Sequence, residues 1–551
     1  MVRDELRNLI YDALKSLQGK GLLPAFELPE IRIERPEISL HGDYSSNIAF
    51  EIAKTVKKSP MEIANQIENK ISSIKNIIFE KIEVPQPGFV NFFISKEYLQ
   101  KQTGDILREK EEYGQLRPKK SEKVQVEFIS ANPTGPLTVG NARGGPFGDV
   151  LANILEKAGA KVERAYYVND FGAQILTLGH SVLKDSEAAY RGDYIDYLNK
   201  KIKGNDAFEV GQKAAKIIIN EMVKKTVRRM GIKYDEWFSE GTLHKSGAVD
   251  KALDFLKGKK LLYENEGAVW FKSTDFGDIR DRVVVTQDKR KTYLAGDIAY
   301  HRYKFEEKKF DKVINIWGAD HHGDVPGLRA GIAALGHKGK LDIILLQFVT
   351  LLEQGEKVKM SKREGKYVTM DELLKEVGSD VIRFFFLQKS ADTHLNFDLS
   401  LAKEQSEKNP VFYVQYAYAR ISSILRKSKG KSPAFAKTSS FAKASEDRSA
   451  GKQKSKPNFG LLKEEAELDL VRQLIRFPEI IEDTAKDYQV QRIPGYALEL
   501  AAAFHHFYTK CRVIDESDQE LSKARLALVL AAKIVLKNTL SSLGISAPEK
   551  M

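Results

Sequence analysis

The chain has 551 residues, 42% hydrophobic and 30% charged, the composition of a globular protein of about three domains at ~150 residues each. One cysteine, Cys511, excludes an intrachain disulfide or a cysteine-rich zinc site and favours a reducing compartment. The net charge of +12 invites a nucleic-acid partner, yet residues 427–458, with nine cations against two acids, supply +7 of it.

No apolar run is expected to span a membrane. In MVRDELRNLIYDALKSL, Asp4, Glu5 and Asp12 argue against a leader peptide, and the spacing predicts an amphipathic helix burying Leu6, Leu9, Ile10, Ala13, Leu14 and Leu17. Residues 1–107 are expected to form an α+β module with strands at 31–33 and 89–94. A helix in it carries Ile48, Ala49, Ile52 and Val56 on one face, and no catalytic constellation is visible. The charged stretch 108–123 reads as a linker.

From 118 to 400 strands alternate with helices, which predicts an α/β domain around a parallel sheet. Residues 124–129 read as its first strand. SANPTGPLTVGNARGGPFG follows, and then Val150, Leu151, Ile154, Leu155 and Ala158 recur at helical spacing. Strand, Gly/Pro-rich turn and helix in that order present backbone amides and a helix N-terminus to a phosphate. Further strands are expected at 162–168, 283–285, 313–317 and 343–352, and residues 185–260 as a polar, mainly helical insertion. In such a fold ligands gather at the carboxyl ends of the strands.

Lys357 to Gly365, KVKMSKREG, follows the strand at 343–352 and precedes a capping box at Thr369 and Glu372. Lysines on both sides of Met-Ser can neutralise the charge that grows on a departing pyrophosphate. Asp320, His321, His322 and Asp324 offer metal-ligand types, but one loop without support from elsewhere is a poor cage, and no protein-built metal site is expected. Residues 405–551 read as a helical bundle, with runs at 411–425, 497–507 and 521–543. Tyr413, Tyr416 and Tyr418 could stack on bases, though helical spacing favours the core. The Lys/Ser/Ala-rich 427–458 is expected to be a disordered solvated spacer, with an RNA arm the alternative.

The opening turn and the Lys-Met-Ser-Lys loop together resemble the two signatures of class I aminoacyl-tRNA synthetases. VEFISANPTGPL, YYVNDFGAQI, GADHHGDVPGLRA, RFFFLQKSADTHLNFDL and NPVFYVQYAYARI narrow the resemblance to the bacterial arginyl-tRNA synthetase family, over nearly the whole chain. The resemblance implies a Rossmann-like catalytic domain between an N-terminal tRNA-binding α+β module and a C-terminal anticodon-binding α-helical bundle. It implies ATP-dependent ligation of L-arginine to its cognate tRNA through arginyl-adenylate, with Mg²⁺ accompanying ATP and tRNA needed before activation. A cytoplasmic monomer is expected.

The implied catalytic residues are Thr138, Asn141, Lys359 and Lys362. ATP would meet Pro133, Gly140, Gly318, Asp320, His321, Met360 and Ser361. Arginine would meet Glu127, Ser130, Asn132, Tyr293, Asp297 and His321, with Glu127 or Asn132 on its charged groups. Tyr293 and Asp297 match the family's guanidinium clamp, since a carboxylate offers a planar cation two parallel hydrogen bonds. Asp297 read alone serves equally well as a helix N-cap.

The family usually has His at both ends of the four-residue core, where this chain has Thr138-Val139-Gly140-Asn141. Thr and Asn donate hydrogen bonds but carry no charge. That departure motivates one alternative, a catalytically silent relative that binds tRNA or arginine. A class I ligase for another amino acid is a weaker one.

Overall fold

The computed structural model describes residues 1–74, 77–358, 369–431 and 457–551. The helix Val2–Gly19 buries Val2, Leu6, Ile10, Ala13, Leu14 and Leu17, and Leu9 is only partly covered. It belongs to a module whose antiparallel sheet sets Val90–Ile94 between Tyr44–Ser46 and Phe79–Glu83. The strand expected at 31–33 does not form. Ile31 and Ile33 are buried, but pairing there is a single bridge from Glu34 to Ser45.

The centre is a five-stranded parallel sheet: β1 Lys123–Glu127, β2 Lys161–Val168, β3 Glu236–Ser239, β4 Lys312–Gly318 and β5 Leu341–Leu346. Its order is β5-β4-β1-β2-β3, so strand order reverses between β1 and β4 and leaves a crevice above their carboxyl ends. Registry sets Glu127 beside Asn315 on one side and Ala165 on the other. Two strand expectations need correction. Arg282–Val285 forms, but in a separate antiparallel sheet with Leu262–Asn265 and Ala268–Phe271. The stretch 343–352 is divided between β5 and Val349–Glu353, which belongs to a small sheet of its own. The stretch 185–260, read as an insertion, supplies β3 at the edge of the main sheet.

Helices Pro410–Lys431, Glu465–Leu474, Phe477–Asp487, Arg492–Lys510 and Gln519–Leu543 complete the described chain. Gln519–Leu543 corrects the expectation that no segment could span a bilayer: its 25 residues are long and apolar enough. Of its most apolar window, however, 72% is buried inside the protein, as in a core helix. Tyr418 is buried, while Tyr416 is 38% exposed under the Arg420 guanidinium. Most of 427–458 lies outside the described residues.

One buried cation ties these parts together. Arg383, fully enclosed, donates to Asp149 on the helix Gly144–Lys157, to the Met230 carbonyl at 3.0 Å and to the Leu543 carbonyl at 2.8 Å. Arg35 and the Tyr44 hydroxyl reach Glu479, joining the N-terminal module to the bundle.

Candidate active site

The chain leaves β1 through a strained turn. Ile129 and Ser130 have φ of 66° and 40°, a left-handed conformation costly for a β-branched residue. The Ser130 hydroxyl accepts from the Tyr167 amide at 3.0 Å and lies 3.4 Å from Glu127 Oε1, which pins the turn to β2. Above it opens a cavity of about 760 Å³ at the β1/β4 switch.

Thr138 caps the short helix Val139–Ala142. Its hydroxyl accepts from the Asn141 amide at 3.3 Å and donates to Asn141 Oδ1 at 2.7 Å, leaving the side-chain NH₂ as the free donor of the pair. A Cβ on Gly140 would meet nothing within 4 Å, so backbone faces open space there. Arg143, 1% exposed, donates to the carbonyls of Gln347, Ser390 and Thr393 and so holds the turn against the end of β5. Burial lowers its pKa to about 10, which leaves it charged at neutral pH.

Thr138, Gly140, Asn141, Gly318, Asp320, His321, Glu127, Ser130, Asn132, Tyr293 and Asp297 all line the cavity. Pro133 is buried and is not among the residues lining this cavity. Lys359, Met360, Ser361 and Lys362 lie outside the described residues. The chain just beyond them is anchored at the turn, since Thr369 bridges Thr138 and the Met370 amide donates to the Leu137 carbonyl at 2.8 Å. The capping box of Thr369 and Glu372 forms as expected. Asp320 and His321 sit at the cavity rim, with His321 Nδ1 3.4 Å from Asp324. Among the described residues no three His, Cys, Asp or Glu side chains gather as a metal cage.

The deep end of the cavity is acidic. Asp297 lies within the helix Tyr293–Arg302, whose N-cap is Thr292, so the capping reading of Asp297 fails. Glu240, which the sequence did not single out, follows β3 and faces it. Glu240 is 6% exposed, its Oε2 accepts no hydrogen bond, and its Oε1 would stand 3.8 Å from a Cβ on Gly296. Asp170 holds that turn by accepting from Ser239 Oγ at 2.6 Å and the Gly241 amide at 2.9 Å. Tyr293, 61% exposed, stands at the mouth.

Desolvation raises the Glu240 pKa to about 8, helped by the charges of Asp297 and Asp170. Desolvation likewise raises Asp297 to about 7, followed by repulsion from Glu127 and Asp324. Glu127 is already paired: its Oε2 accepts from Lys304 Nζ at 2.7 Å, inside a network continuing to Asn315 and His301. Asp297 and Glu240 are therefore the acids here that no lysine or arginine bonds among the described residues, although Glu240 Oε1 lies 3.8 Å from His244 Nε2.

This gives a linkage prediction. Both folded carboxyls hold protons more tightly than in the unfolded chain. Apo stability is therefore full below the ordinary carboxylate range and falls as pH rises through about 7 and about 8. A cation entering between them favours their ionised forms. Arginine binding at pH 7 should release about one to two protons, and close to none at pH 9. Calorimetry in two buffers of different ionisation enthalpy measures this, and equal heats in both at pH 7 would refute it.

A cavity at the switch point, an opening turn bridged at Thr138 to Thr369 just beyond the second signature, and a parallel sheet between a small α+β module and a helical bundle define a class I aminoacyl-tRNA synthetase. Residues 4–94 match the arginyl tRNA synthetase N terminal domain family, 102–190 and 180–385 the class I (R) catalytic domain, and 414–551 the DALR anticodon binding domain. The chain belongs to the arginyl-tRNA synthetase family. It is 42% identical to the arginine–tRNA ligase of Geobacillus thermodenitrificans, over 99% of both chains. To that of Bacillus subtilis it is 40% identical, over the full length of both. The crystal structure of a putative arginyl-tRNA synthetase from Campylobacter jejuni superposes with a TM-score of 0.72 at 33% identity, covering 83% of this chain and 100% of that one. The Thermus thermophilus arginyl-tRNA synthetase shares the fold over both full chains, with a TM-score of 0.76 at 22% identity.

Proposed function

We infer that the chain ligates L-arginine to its cognate tRNA at the cost of ATP, through arginyl-adenylate. The observation that carries the choice of amino acid is the pair of acids, Asp297 and Glu240, that line the cavity with no bonded lysine or arginine among the described residues. A guanidinium is planar, always charged and rich in donors, so two buried carboxylates suit it and leave a neutral analogue with unpaired charge. Tyr293, on the same helix as Asp297, covers the guanidinium from the solvent side. Glu127, Ser130 and Asn132, at the end of β1, meet the α-amino end, and His321 lies within reach of both substrates.

The arginine carboxylate attacks the α-phosphorus of ATP and pyrophosphate leaves. A terminal ribose hydroxyl of tRNA then attacks the carbonyl carbon of the mixed anhydride, and AMP leaves. Alignment and electrostatic stabilisation supply the catalysis. Asn141 donates to the phosphates from the helix N-terminus, with Thr138 fixing its orientation. Lys359 and Lys362 neutralise the leaving pyrophosphate, and Met360 and Ser361 contact ATP from the same loop. Gly140 and Gly318 give the nucleotide close backbone approach, with Asp320 and His321 on its ribose and base. Mg²⁺ enters as the complex with ATP, held by its phosphates. Residues 118–400 carry this chemistry. Residues 1–107 and 405–551 bind tRNA, in a monomer working in the cytoplasm.

Arginine-stimulated, tRNA-dependent exchange of pyrophosphate into ATP tests this. Folded protein with cognate tRNA should exchange with arginine and not with lysine or cysteine. Absence of exchange would leave only a binding protein.

A further inference from the structure

The backbone that carries Glu240 is gripped from another strand. Ser239, the last residue of β3, pairs with Val168 at the end of β2. Beyond Val168 the chain turns back, the Asp170 amide donating to the Val168 carbonyl at 2.9 Å. The Asp170 carboxylate reaches β3, where one oxygen accepts from Ser239 Oγ at 2.6 Å and the other from the Gly241 amide at 2.9 Å. Those donors are the residues immediately before and after Glu240. The fit is close, since a Cβ on Gly241 would stand 3.4 Å from Asp170 Oδ1. One turn along the helix Glu240–Lys245 the same two segments meet again: the Phe171 ring stacks on His244, with centroids 4.1 Å apart and planes at 18°.

Asp170 is not among the residues that line the cavity, although its neighbour Asn169 is. It meets no substrate there. After desolvation and Asp297, its charge is a further influence opposing ionisation of Glu240. Electrostatically, then, a carboxylate at this position works against the charge that a guanidinium needs. What it supplies is geometry. A carboxylate presents acceptors only, so it can take a hydroxyl and an amide hydrogen at once and fix the peptide groups on both sides of Glu240. Glu240 Oε2 accepts no hydrogen bond of its own, so the aim of that side chain depends on the backbone beneath it.

We propose that Asp170 is a positioning residue for amino-acid specificity: bonded to both neighbours of Glu240, it holds that carboxylate where it meets the guanidinium of arginine. This rests on the reading of Asp297 and Glu240 as the guanidinium site. The loop after β2 thereby governs the choice of amino acid through a side chain that never touches it.

The test is the KM for arginine in tRNA-dependent pyrophosphate exchange by the full chain. Asp170→Ala should raise it about 10- to 100-fold, the scale of misplacing a contact by about 1 Å, and leave the KM for ATP within about twofold. Asp170→Asn should recover most of the loss, because its amide oxygen can accept from Gly241 while its NH₂ donates to the Ser239 hydroxyl. Ser239→Ala, which removes one bond of the two, should fall between them. The sharpest comparison puts Asp170→Ala into Glu240→Gln. A residue that acts through Glu240 has little left to position there, so the second substitution should add less than about twofold. Losses that multiply in the double variant would overturn the proposal. So would an unchanged arginine KM in Asp170→Ala, or equal rises in KM for arginine and ATP together with a lowered melting temperature, the mark of a general structural role. Glu240→Gln alone separates the two readings. If it leaves the arginine KM at the wild-type value, the guanidinium site itself fails; if it raises the KM and Asp170→Ala does not, only the positioning role fails.

Discussion

Asp297→Asn should raise the KM for arginine by about 30-fold or more, leave that for ATP near wild type, and hold or raise the melting temperature. Asparagine keeps the shape but removes a charge from the acidic end of the cavity. Breaking a buried, hydrogen-bonded charge contact costs about 2–5 kcal/mol, which is about 30- to 5,000-fold in affinity. The free protein meanwhile sheds repulsion from Glu127 and Asp324, the charges that with burial hold Asp297 near pKa 7. Citrulline sharpens the experiment: the variant should lose most of its discrimination against this neutral analogue. An arginine KM within a few-fold of wild type, together with lost stability, would return Asp297 to a structural role. Glu240→Gln should behave in the same direction, since Glu240 faces the same space with an unbonded oxygen.

Lys304→Met should destabilise the chain by about 3–5 kcal/mol, the usual result of stripping one partner from a buried ion pair. Lys304 is fully buried, donates to Glu127 and Asn315, and sits 4.2 Å from the centre of the Tyr300 ring. Without it Glu127 would be an uncompensated charge at the root of the cavity, beside an Asp297 that Lys304 also helps to ionise. Lys304→Met combined with Glu127→Gln should recover most of the loss, because a neutral pair needs no compensation. Urea titrations of the two single variants and the double variant measure the coupling. Additive losses would show that the two residues stabilise the fold independently.

Local signals carried most of the architecture. The alternation in β1, the turn SANPTGPLTVGNARGG and the helical spacing of the last helices each report their own element, and these elements formed where expected. Partnership is not local. Val283, Val284 and Val285 read as a strand, but nothing in three valines says which sheet they join. β3, Glu236-Trp237-Phe238-Ser239, is short, lies at a sheet edge and has no aliphatic run to betray it. Missing β3 meant missing Glu240, whose significance comes only from meeting Asp297 across the fold. Asp297 was legible as a carboxylate but ambiguous in purpose until Thr292 proved to be the cap. Pro133 was drawn into the site by its neighbours in sequence, whereas the structure shows it buried and apart from the cavity lining.

The buried Arg383 has a mechanical meaning as well as a chemical one. It grips the nucleotide-site helix, the segment leading into β3 and the last turn of the terminal helix at once, through Asp149 and two carbonyls. Sliding that terminal helix along its axis would strand a guanidinium with no water to receive it. The last turn of the terminal helix is therefore held at a set distance from the nucleotide-site helix, a length built into the chain. An RNA grasped at the bundle would have its far end measured against that length, and one of the wrong span would miss the crevice however well it were held.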